Sequence, residues 1–227
     1  MQTVRVLSTL ALKGAVTRLA GQYQAATGIT IEADFAPTVG LLPRLRGGET
    51  ADVVILTREG LDELAAEGAV VAASMVDLAR SYVGIAVRAG APHPDIATEA
   101  AFRASILAAR SVAYSRIGAS GIYFADLIAR LGMAAEINAR ATVTSGFTAE
   151  RLITGEADLA VQQISELKQV EGIEVVGPIP LALQTPAVFS AGRMTASEKA
   201  AQAEALLRYL ASPDVAPDLL ETGLETP

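Results

Sequence analysis

The segment Gly47-Gly48-Glu49-Thr50-Ala51-Asp52-Val53-Val54-Ile55-Leu56 has a near copy further along the chain, Thr154-Gly155-Glu156-Ala157-Asp158-Leu159-Ala160-Val161-Gln162-Gln163. Both read as a helix end, a glycine, a glutamate, a short turn, Ala-Asp and then a buried strand. Helical spacing precedes each, over residues 41–45 and 147–153. Helix–glycine–strand joints recur in any α/β chain. Two with the same order of Gly, Glu, Ala and Asp point further, to two similar α/β lobes, and a cleft between lobes is a common place for a small ligand.

The rest of the chain fits that frame. Residues 4–7 read as a short apolar strand, and Leu12, Ala15, Val16, Leu19, Ala20 and Tyr23 follow helical spacing. Gly28 is the expected C-terminal cap. Residues 29–35 alternate as a strand does, 41–46 read as helix, 51–56 as a buried strand, and 58–66 as helix ended by Gly68. The first seventy positions thus read β-α-β-α-β-α, which implies a mainly parallel sheet. Further on, 80–88 reads as one apolar strand and 111–114 as another. Gly118-Ala119-Ser120-Gly121 opens a helix over 122–131, and 159–162, 175–177 and 187–190 read as strands. Residues 199–210 form the last long helix, with a short helix and a frayed end over 214–227.

No Pro/Ser-rich linker divides the chain, so the lobes are expected to be joined by crossing strands, outgoing at 80–88 and returning at 186–190. The expected division is 1–81 plus 189–227 for the first lobe and 82–188 for the second.

Composition narrows the partners. The net charge is −7, without a basic run, which argues against nucleic acid and anionic membrane surfaces. Aromatic residues are 4% of the chain and Trp is absent, so stacking platforms for sugars or single strands are not expected. The absence of Cys excludes disulfides, thiolate catalysis and Cys-based zinc sites. No apolar run reaches the length of a membrane span, so no direct insertion is expected. The chain starts in a strand pattern at Met1 without a charged, apolar and small-residue leader, which favours the cytoplasm or a leader already removed.

In order and spacing, several pieces resemble the periplasmic molybdate-binding protein family, within the type II solute-binding proteins of ABC transporters. These are the N-terminal strand–turn–helix, Phe35-Ala36-Pro37-Thr38, Gly48-Glu49-Thr50-Ala51-Asp52-Val53, Ala119-Ser120-Gly121-Ile122-Tyr123 and Gly155-Glu156-Ala157-Asp158-Leu159. The resemblance runs over nearly the whole chain. It implies a hinged pair of α/β lobes closing on one oxyanion, a periplasmic location, an ABC permease as partner and a monomer. It also implies ligand contacts from Thr9, Leu10 and Ala11, from Thr38 and Val39, from Ser120 and Gly121, from Ser145 and Gly146, and from Gln163. Two positions depart from the family pattern: Ala11 stands where Ser is usual, and Gln163 where Tyr is usual. Both bear on ligand selectivity and leave the fold expectation intact.

The residues themselves suggest how such a site works. Positions 9–12, 38–41 and 119–122 lie at expected helix starts, where the first N–H groups have no internal partner. Helix dipoles favour negative charge there, by roughly 0.3–1 kcal/mol each at exposed sites. Gly40, Ala119 and Gly121 let the backbone approach closely, and Thr38 and Ser120 carry hydroxyl donors. They also fit as ordinary N-caps. Arg116, just before the Gly-rich turn, suits a carboxylate or phosphate if it faces the ligand, and is otherwise a solvated surface cation. Gln163 serves a ligand or a strand end equally well.

The sequence carries no recognisable catalytic signature. Asp52 and Asp158 occupy equivalent places in the two repeats, which suggests a structural job. His93 lies between two prolines without partners for a metal or a triad. Ser120 lacks the Gly-x-Ser-x-Gly elbow, and no Lys follows residues 118–121 as a Walker A loop requires. The expectation is therefore a binding protein, not an enzyme, without cofactor or metal, that captures a small anion by hinge closure. Molybdate or tungstate comes first by resemblance. A small organic acid or phosphorylated metabolite, bound by a cytosolic binder or an effector-binding domain, is the alternative.

Overall fold

The structure, a computed structural model, describes residues 2–227. It divides into two compact units, one of residues 1–81 and 187–227, the other of 82–186.

The first unit runs β1 (Gln2–Ser8), α1 (Lys13–Thr27), β2 (Ile29–Phe35), α2 (Thr38–Arg46), β3 (Val53–Thr57), α3 (Arg58–Ala66) and β4 (Val76–Ser81). The second runs β5 (Val83–Arg88), α4 (Glu99–Ala108), β6 (Val112–Tyr114), α5 (Ala119–Arg130), α6 (Ala134–Asn138), β7 (Thr142–Val143), α7 (Glu150–Ile153), β8 (Leu159–Gln163), α8 (Ile164–Leu167) and β9 (Ile173–Pro178). The chain then completes the first unit with β10 (Ala187–Arg193), α9 (Ala200–Leu210) and α10 (Ala216–Glu221).

Each unit holds one five-stranded sheet, in the order β2-β1-β3-β10-β4 and β7-β6-β8-β5-β9. In each, four strands run the same way and one, β10 in the first and β5 in the second, lies antiparallel between the last two of them. The parallel part follows from the βαβ connections, whose helices cover both faces. Strand β3 shows the consequence: Val53 and Ile55 pack into one apolar cluster with α1 and α9, while Val54 and Leu56 pack into another with α2 and α3. A strand buried on both faces reads as a continuous apolar run, and the sequence is Val-Val-Ile-Leu.

The repeated segments play matching parts. Gly48 and Gly155 take positive φ, 93° and 74°, where a side chain would be strained. Arg44 pairs with Glu49 at 2.7 Å, and Arg151 with Glu156 at 3.0 Å. Asp52 accepts the N–H of Arg5 at 2.9 Å, and Asp158 that of Arg110 at 2.9 Å. Both aspartates thus fix the start of a central strand, the structural job expected of them.

Several local expectations are corrected. Residues 80–88 are not one strand: the segment breaks at Tyr82, and its halves pair in different sheets. The helix expected over 122–131 begins earlier, at Ala119, because Gly118 already accepts from Gly121 and Ile122. The helix expected over 147–153 shrinks to Glu150–Ile153, since the Thr148 N–H is taken by the Gln162 side chain. The tail is tied down, with Arg80 and Glu225 exchanging two backbone hydrogen bonds of 2.8 Å. His93 pairs with Glu174 at 2.9 Å.

Candidate functional site

In open α/β sheets, ligands bind beyond the carboxyl ends of parallel strands. In both units the sequence-derived candidates lie there.

In the first unit the loops after β1, β2 and β3 are stitched together. Thr9 N–H donates to Ile55 at 2.8 Å, Ala36 N–H to Ser8 at 3.1 Å, and Thr57 N–H to the Thr38 hydroxyl at 3.1 Å. Thr38 therefore accepts with its oxygen and keeps its O–H to donate. Its methyl would meet a side chain at position 60 at 2.5 Å, which is why glycine stands there. Among the described residues, the N–H groups of Leu10, Ala11, Thr38 and Val39 have no acceptor, because they open a 3-10 turn and a helix. Ala11 is buried and Val39 exposed.

In the second unit the equivalent stitch is Thr144 N–H to Tyr114 at 3.2 Å. The Ser115 hydroxyl accepts from Ile117 and Gly118 at 3.2 and 3.1 Å and shapes the turn before α5. A Cβ on Gly121 would lie 1.6 Å from the Ser115 carbonyl oxygen, so the first turn of α5 sits directly on that loop. Ala119 and Ser120 keep free N–H groups, and the buried Ser120 hydroxyl bonds no other residue among those described. Arg116 is exposed and has no ion pair among the described residues, unlike Arg110 and Arg151 of the same unit, which are paired. Ser145 is exposed, and Gly146 N–H donates to Thr144 at 3.3 Å. Gln163 is buried at the end of β8.

A further group escaped the sequence reading. Gln162 and Thr148 are buried, and the Gln162 side-chain oxygen accepts the Thr148 N–H at 2.7 Å and its hydroxyl at 3.0 Å. Glu166, 7% exposed, accepts from the Gln162 side chain and the Gln163 N–H. Burial pushes its carboxyl up to about 7, against the lowering effect of those two donors. The signal in the sequence was the three-residue step from Gln163 to Glu166, the spacing at which a glutamate reaches back to a helix's first N–H. No group of three or more His, Asp or Glu suited to a metal ion occurs among the described residues.

The sheet order, with unpartnered N–H groups at the carboxyl ends of the parallel strands, is that of a solute-binding fold. The chain belongs to the bacterial extracellular solute-binding protein family, which it matches over residues 4–225. It is 38% identical over 230 residues to a protein named aconitate isomerase from a Pseudomonas species, covering 98% of this chain and 87% of that one. In structure it resembles the periplasmic molybdate-binding protein of Azotobacter vinelandii, with a TM-score of 0.85 and 18% identity over 99% of each chain. It also resembles the sulfate-binding protein SubI of Mycobacterium tuberculosis, with a TM-score of 0.80 and 13% identity over 100% of this chain and 87% of that one. At such identities these two likenesses speak for the fold alone. No helix among the described residues is long and apolar enough to cross a membrane.

The expectation that the chain is not an enzyme is overturned by the Pseudomonas relative, an enzyme by name, at this identity over nearly the whole chain. The physical reason lies in what was sought. Nucleophile–base pairs and metal clusters mark covalent and hydrolytic catalysis, whereas an isomerisation moves one proton and needs no such motif.

Proposed function

We propose that the chain binds a small unsaturated polycarboxylic acid and isomerises it, with aconitate the first candidate. The observation that carries this is the 38% identity to the protein named aconitate isomerase. Arg116 supports a carboxylate ligand: a guanidinium without a carboxylate of its own, beside the start of α5, is a fork open to one. The N–H groups of residues 10, 11, 38, 39, 119 and 120 are proposed as neutral donors, with the hydroxyls of Thr9, Thr38, Ser120 and Ser145, and with Gly121, Gly146 and Gln163 shaping the same loops.

The chemistry suits such donors. Isomerising aconitate passes a proton from the carbon next to the double bond to a base, such as a water held in the site, shifts the electron pair across three carbons and returns a proton at the other end. The formula is unchanged and no oxidant is needed. Negative charge builds toward a carboxylate during the shift, and fixed N–H dipoles and an arginine stabilise it without reorganising.

The test is incubation with cis-aconitate, then separately with trans-aconitate, followed by proton NMR in heavy water. Approach to one mixture from both sides, with deuterium entering the product, supports the reading. Inertness of both isomers, with a thermal shift from molybdate or sulfate instead, would return the chain to oxyanion capture for an ABC permease.

A further inference from the structure

We infer that Glu166 takes up a proton when a small anion binds at the carboxyl ends of β6, β7 and β8. The inference rests on the carboxylate-binding reading above and adds to it a coupling between binding and protonation.

The geometry singles this residue out. Glu166 is buried on α8, which packs on β5, β8 and β9. Its carboxyl accepts from the Gln162 amide and the Gln163 N–H. The Gln162 amide cannot turn around, because its oxygen holds the Thr148 N–H and hydroxyl at 2.7 and 3.0 Å. Its nitrogen is therefore shared between Glu166 and the Gly146 carbonyl, the latter at 3.4 Å. One short chain of hydrogen bonds thus links the carboxyl to Gly146 and Gln163, two of the proposed ligand positions.

No cation is paired with it among the described residues. On the packed elements, β8 carries no ionisable side chain, β5 carries Arg88 at its far end, and β9 carries Glu174, held by His93 and the Gly90 N–H. Helix α7, in the same apolar cluster, carries Glu150 and Arg151, and Arg151 is held by Glu156. Lys168 follows α8 and Tyr82 precedes β5, while burial, the Gln162 amide and the Gln163 N–H set the carboxyl's proton affinity. A carboxylate without a cation, in a poorly solvated place, is destabilised further by an incoming anion, and protonation relieves that repulsion. Because burial has already raised this carboxyl to about 7, the uptake falls in the neutral range.

The test is calorimetric titration with cis- and trans-aconitate at pH 7.5, in imidazole and in Tris, whose ionisation heats differ. About one proton should enter per anion bound, and above pH 7 the Kd should rise roughly tenfold per pH unit. Glu166→Gln should abolish the uptake and flatten the pH dependence, whereas His93→Ala should leave both unchanged. If Glu166→Gln does not fold, Glu166→Asp, with its shorter arm, should still alter the uptake. Binding without proton uptake, or uptake that survives Glu166→Gln in full, overturns the inference and leaves the binding site standing. No binding of either isomer overturns both.

Discussion

The two units share a sheet order and a repeated joint, yet they cover one sheet face differently. In the first, Leu7, Val54 and Leu56 pack under α2 and α3, nine residues each. In the second, the matching face presents Ala86, Ala113 and Ala160 under α7 and α8, four residues each. Small residues and short helices leave the second unit less hydrocarbon there, and the space goes to a polar network of Thr148, Gln162 and Glu166. At the place where the first unit has Gly60, the third residue of its helix, the second has Glu166. One scaffold thus supplies a well-filled half and a half with an exposed, unpaired arginine and a buried carboxyl. On the proposed reading the first holds a ligand and the second acts on its charge.

The sharpest way to break that comparison is a pair of methyl groups. In Gly121→Ala the new Cβ meets backbone, the Ser115 oxygen at 1.6 Å, whereas in Gly60→Ala it meets the Thr38 methyl at 2.5 Å. Side chains yield more readily than backbone, so Gly121→Ala should cost about 3 kcal/mol or more and Gly60→Ala about 1–2 kcal/mol. Urea unfolding measures both, and equal losses would mean that the two helix starts are held alike.

The two aspartates come next. Asp52 is buried and also accepts from Ser197 at 2.7 Å and Lys199 at 3.3 Å, while Asp158 is more exposed and has Arg110. Asp52→Ala should cost about 2–3 kcal/mol and Asp158→Ala about 1 kcal/mol in the same assay. Burial alone would raise the Asp52 carboxyl, but the Arg5 N–H, Ser197 and Lys199 together hold it below the usual carboxylate range. A depressed folded pKa contributes stability above the unfolded value, lost as pH falls through the folded one. Asp52→Ala should therefore flatten the acid limb of the stability curve below about pH 4. An unchanged acid limb would remove Asp52 from that role.

For the ligand, Arg116→Ala should weaken aconitate binding by roughly 10- to 100-fold with no change in melting temperature, as a charge-assisted contact is lost from an exposed side chain. Smaller still, Ser120→Ala should weaken it by roughly 3- to 10-fold, again without loss of stability, since its hydroxyl bonds nothing in the unit. Thr38→Ala should lower affinity and also cost about 1 kcal/mol of stability, because the Thr57 N–H loses its acceptor. Isothermal titration beside thermal melting separates the three. Should Arg116→Ala bind as the parent does, the division of labour between the units would fall.

Much of the frame was legible in the sequence. The buried strand Val53–Thr57, the turn glycines at 28, 48, 68 and 155, and the matched aspartates all follow from local patterns with their own steric or hydrogen-bonding reasons. The break at Tyr82 was not legible, because residues 76–88 are uniformly strand-like and only the choice of partner sheet divides them. The tail was read as frayed because its anchor, Arg80, lies far away along the chain. Glu166 was passed over because Ile164-Ser165-Glu166 looks like any solvated first turn.

The sequence by itself determined two similar α/β units, their strand-to-helix turns and the unpartnered N–H groups at those turns, since periodicity, glycine placement and helix ends are local properties. Only the tertiary structure decided that Arg116 stands without a partner, that Gln162 is locked by Thr148, and that Glu166 is buried beside them. Burial and pairing depend on residues distant in the chain, and a carboxyl's proton affinity follows from how much water and how many donors remain around it after folding.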